Sequence, residues 1–85
     1  MIYPTIHLNG TSKGELMRQW QEAHQALRVS LNKLADAMPH DRDYHVQSNT
    51  AGRCARAEHV ARMEKITNIM HDLEELAQQA DSQGR

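Results

Sequence analysis

Met17, Trp20, His24, Leu27, Leu31, Leu34 and Met38 recur at alternating spacings of four and three, and Pro39 follows at once. That is the seam of an α-helix packed along its length, closed by a residue that cannot continue it. Upstream, Ser12 precedes Glu15 by three positions, the spacing of a capping box. The first helix is therefore expected within 11–38, weakened a little by Gly14 in its opening turn. A second seam, Met63, Ile66, Met70, Leu73 and Ala77, places another helix within 50–80, with Asn49 or Thr50 as its cap.

Between the helices lies "PHDRDYHVQSNT", a polar stretch that reads as a loop over 39–49. Residues 1–10 read as an extended arm, since Pro4 disfavours helix at Tyr3 and Asn9-Gly10 marks a turn. Residues 81–85 read as a frayed tail. The expectation is one all-α domain, an antiparallel two-helix hairpin with an extended N-terminal segment. Val60, Ile69 and Leu76 on helix 2, with Leu16 and Ala23 on helix 1, widen the apolar faces beyond what two helices cover. Ile2, Tyr3, Ile6 and Leu8 of the arm cover part of that surplus, and a homo-oligomer is expected to complete the core.

Composition narrows the function. Ten Lys and Arg against 11 Asp and Glu give a net charge of −1, so a general nucleic-acid coat is disfavoured. No stretch has the roughly 20 apolar residues of a membrane span. The first ten residues lack the features of a signal peptide, and Cys54 is the single cysteine. A reducing cytoplasm is the expected compartment. Six histidines and Cys54 fall at no zinc-ligand spacing, so no metal and no cofactor is expected. His24 and His59 read alternatively as core histidines bonded to a neighbour. Asp41, Asp43, Tyr44 and His45 share the loop, but no phosphate loop, nucleophile elbow or carboxylate pair accompanies them, and the chain is read as no enzyme.

The second helix carries the most unusual feature. Traced back toward its start, the apolar seam becomes Arg56, His59 and Arg62, flanked by the small residues Ala51, Gly52 and Ala55. Arg53 and Arg56 stand where the helix dipole favours negative charge, and Asp72, Glu74 and Glu75 gather toward the other end, again in the disfavoured sense. Arginine forks beside free helix N–H groups suit a planar or phosphorylated anion. The candidate ligand-binding set is Arg53, Arg56, His59 and Arg62, with Arg42, Tyr44 and His45 closing over from the loop. In the opposing reading these arginines pair with Glu58, Asp36 or Asp43, or serve assembly between oppositely charged ends.

Asn9-Gly10-Thr11-Ser12 at a helix start, Arg42-Asp43-Tyr44 between two helices, and Glu58-His59 with Arg62 opening the second resemble a group of small reading frames of tailed phages and prophages. The resemblance spans most of the chain and implies a phage origin and a helical hairpin. Compact phage proteins that counter host defence supply the analogy for the first two of three expected roles. The leading one is a non-enzymatic oligomer that sequesters a nucleotide immune signal. The alternative is a protein-interaction inhibitor or assembly factor that binds a host defence protein, and a DNA-binding helical regulator stands behind both.

Overall fold

The computed structural model describes residues 1–83. It is all-helical: α1 runs over Lys13–Asp36 and α2 over Ala51–Asp81, and a single 3-10 turn, Asp41–Asp43, interrupts the connection. Ser12 caps α1 as its spacing predicts, its hydroxyl accepting from the Glu15 N–H at 3.1 Å, a contact worth about 1 kcal/mol. The Glu15 carboxylate turns outward to Arg18 and Gln19 instead of back to the cap. At α2 the hydroxyl of Ser48, and neither Asn49 nor Thr50, accepts from the first helical N–H, that of Ala51.

Three cross-links fix the helices antiparallel, because partner numbers rise on α1 as they fall on α2. Lys13 Nζ donates to the Asp81 carbonyl at 3.1 Å, His24 Nε2 to Glu74 Oε2 at 3.0 Å, and His59 Nε2 to the Leu34 carbonyl. The arm lies along the far end of α2. Tyr3 donates its hydroxyl to Glu75, Ile6 N–H donates to Gln83 Oε1 at 2.8 Å, and Gln83 Nε2 returns a bond to the Pro4 carbonyl at 2.8 Å. Of the expected tail, Gln83 is thus engaged by the arm, and residues 84 and 85 lie outside the described residues.

The hairpin is a rod of 62 × 21 × 16 Å. Its radius of gyration is 18.7 Å, against about 12 Å for a compact chain of this length. One packing interface runs along it and little else. No residue of α1 is fully buried; its seam residues are all half-buried. Among the described residues the buried apolar side chains are Met70 and Ala80, and His59 is the one buried polar side chain. Ile2, Leu8, Val29, Val46, Val60 and Ile69 stand in solvent. The accessible surface is 6384 Å², where a folded monomer of this mass exposes about 5,100 Å².

Candidate functional site

The basic end of α2 is built by the loop that leads into it. Pro39 and the 3-10 turn deliver Asp41 to the outer surface of α2's first turn, where its carboxylate pairs with Arg56. Gly52 admits it: a methyl group there would overlap Asp41 Oδ1 and lie 3.4 Å from Asp41 Cα. The turn is closed by Tyr44 and His45, whose N–H groups both donate to the Asp41 carbonyl at 3.0 and 2.9 Å. The His45 ring adds a contact from Nδ1 to the same oxygen at 3.3 Å.

These residues enclose a recess of about 290 Å³ lined by Asp41, His45, Ser48, Gly52, Arg53 and Arg56. It gathers two cationic side chains and an imidazole at the positive end of a helix, where an anion is favoured. One anion is already there. Asp41 supplies the negative charge that explains why arginines tolerate this position, and its partner is Arg56; Glu58, Asp36 and Asp43 do not take that role. Among the described residues, Arg53 has no carboxylate partner.

The other expected ligand residues part from this recess. His59 is 6% exposed and bonds the Leu34 carbonyl in the last turn of α1, so its ring is a strut between the helices. Arg62 is exposed and outside the recess, as is Arg42, while Tyr44 is half-buried and lines neither cavity. Helical angle alone set Arg56 and His59 in one sector. Depth along the axis separates them, because α1 stops at Asp36 and leaves α2's first turn facing the loop. The acidic end of α2 is answered similarly: Glu74 takes His24 and Glu75 takes Tyr3. The His24 hydrogen bond, with smaller help from the charges of His24, His71 and Arg28, holds the Glu74 carboxyl below its usual range.

Beside that pair lies a second, larger cleft, about 370 Å³, lined by Met17, Trp20, Gln21, His24, Leu73 and Ala77. It is mainly apolar and open. Among the described residues no group of three or more His, Cys, Asp or Glu converges as a metal site. None of the described helices is long and apolar enough to cross a membrane. No family model, curated protein or solved structure matches the chain.

Proposed function

We propose that this chain is a non-enzymatic, self-associating helical hairpin that acts by docking to protein surfaces, as an assembly factor or an inhibitor of a host defence protein. The observation that carries the reading is the missing cover. A 24-residue helix with no fully buried residue is half of an interface. The resemblance to small phage reading frames supports the setting, and Asp41 weakens the competing role by taking Arg56 for internal use. The experiment is a series of thermal melts and sedimentation equilibrium runs across a wide concentration range. A hairpin that completes its core by association melts higher as concentration rises and sediments above the mass of one chain. A concentration-independent melt at the mass of one chain refutes the reading.

A second reading, sequestration of a nucleotide-like anion, is favoured by the convergence of His45, Arg53 and Arg56 on one recess. A ligand phosphate would displace the Asp41 carboxylate and take both guanidinium groups. A thermal-shift screen against cyclic and linear nucleotides and plain phosphate tests it. Asp41→Asn is expected to strengthen any binding and Arg53→Ala to abolish it; silence from both the native chain and Asp41→Asn removes the reading.

A further inference from the structure

Roughly a quarter turn around α2 from its α1-facing seam, the helix carries a second regular stripe. Arg62, Lys65, Ile69, Asp72 and Leu76 follow at spacings of three and four, the heptad rhythm of a coiled-coil seam. Ile69 stands at its middle, 48% exposed. Toward the N-terminus the stripe is basic, with Arg62 and Lys65; toward the C-terminus it is acidic, with Asp72. All three charged side chains are exposed, and none has an ion-pair partner among the described residues. Reversed, the stripe complements itself at Lys65 and Asp72, while its outer positions set the Arg62 side chain against Leu76. Laid antiparallel on a second copy with the turning point beside Ile69, Lys65 of each chain meets Asp72 of the other and the two isoleucines share the centre.

We propose that α2 carries a homodimer interface along this stripe, two copies crossing antiparallel about a two-fold axis next to Ile69. This rests on the docking reading and supplies its partner. A parallel pairing is opposed by charge, since it sets Lys65 on Lys65 and Asp72 on Asp72. A two-fold contact also closes on itself, whereas a head-to-tail one continues into fibres. Area agrees: the chain exposes 6384 Å², an excess of about 1,300 Å² over a folded monomer of its mass, and a standard interface takes about 800 Å² from each partner. The exposed valines offer less: Val60 stands between Arg56 and Glu64, but Arg56 is already taken by Asp41, and Val29 stands between Gln25 and Lys33, which are not complementary.

The test uses the full chain and two charge reversals, Lys65→Asp and Asp72→Lys. Each sets like charges across both symmetry-related contacts and is expected to weaken association at least about tenfold. Mixed in equal amounts, the two variants restore opposite charges and recover the native dissociation constant as a heterodimer. Circular dichroism confirms that each variant is folded, as exposed positions allow. Independently, in a Cys54→Ser background, Ile69→Cys is expected to be joined to a second copy by a short bis-maleimide, and Val29→Cys is not. If the chain associates but neither reversal weakens it and Cys-specific linking is no greater at 69 than at 29, the axis is wrong and docking uses another face. If sedimentation gives one chain at every concentration, both the interface and the docking reading fail.

Discussion

His59→Ala separates a histidine that holds the hairpin from one that waits for a ligand. The native ring is 6% exposed and donates from Nε2 to the Leu34 carbonyl. Alanine removes that hydrogen bond, a loss of about 0.5–1.5 kcal/mol. It also empties a ring's volume between the helices, which costs about 1–2 kcal/mol by the scale of large-to-small core substitutions. The Leu34 carbonyl is not orphaned, because the Ala37 N–H also donates to it at 3.1 Å, and this keeps the sum near 2–3 kcal/mol. For a chain of this length that lowers Tm by roughly 10–20 °C. Circular dichroism melts at one fixed protein concentration read it, since association shifts Tm by mass action. His59→Leu, which keeps volume and loses the donor, is expected to fall between the two. A His59→Ala protein that melts within about 3 °C of the native chain would refute the strut and return His59 to the list of surface ligands.

Three smaller predictions follow from the charged contacts. Asp41→Ala removes the carboxylate from α2's positive end and from Arg56, and should destabilise by about 0.5–1.5 kcal/mol, read in urea melts at low salt and shrinking as salt is added. Tyr3, whose phenol is raised chiefly by its hydrogen bond to Glu75, adds stability below its free pKa of about 10 that is lost as pH climbs through the raised value. In a Tyr44→Phe background the Tyr3 absorbance titration should move down when Glu75 becomes Gln. Glu74 has the opposite sign: its lowered pKa gives stability that is present above the free carboxyl value and lost as pH falls through the folded one. Acid unfolding of His24→Ala should accordingly begin at higher pH than that of the native chain.

Much of the architecture could be read from local rules. The seven-residue seam ending at Pro39 and the Ser12 hydroxyl specify α1 with no help from tertiary structure. The basic seam was only partly legible. A helical wheel gives the direction of Arg56, His59 and Arg62 but not what lies opposite each, and that depends on where α1 stops. Asp41's role was hidden for a related reason. A loop aspartate four residues before His45 looks like turn chemistry, and only the 3-10 turn and the bare backbone of Gly52 bring its side chain onto α2. The openness of the Trp20 cleft was likewise out of reach, because periodicity says which face is apolar and not how deeply it is covered.

The clasp between arm and helix end joins residues 72 to 79 positions apart. Closing a loop of that length is slow work for a chain, and the reward is a few polar bonds, exposed or only part-buried. The two helices, linked by a short turn, therefore zip first from the Asp41 end, and the arm settles after the rate-limiting step. Contacts made that late do not speed folding; they hold back unfolding. Truncating residues 1–10, which leaves the Ser12 cap in place, should leave the refolding rate nearly unchanged and let the native hairpin open faster, so that the arm acts as a latch on the lifetime of the folded state.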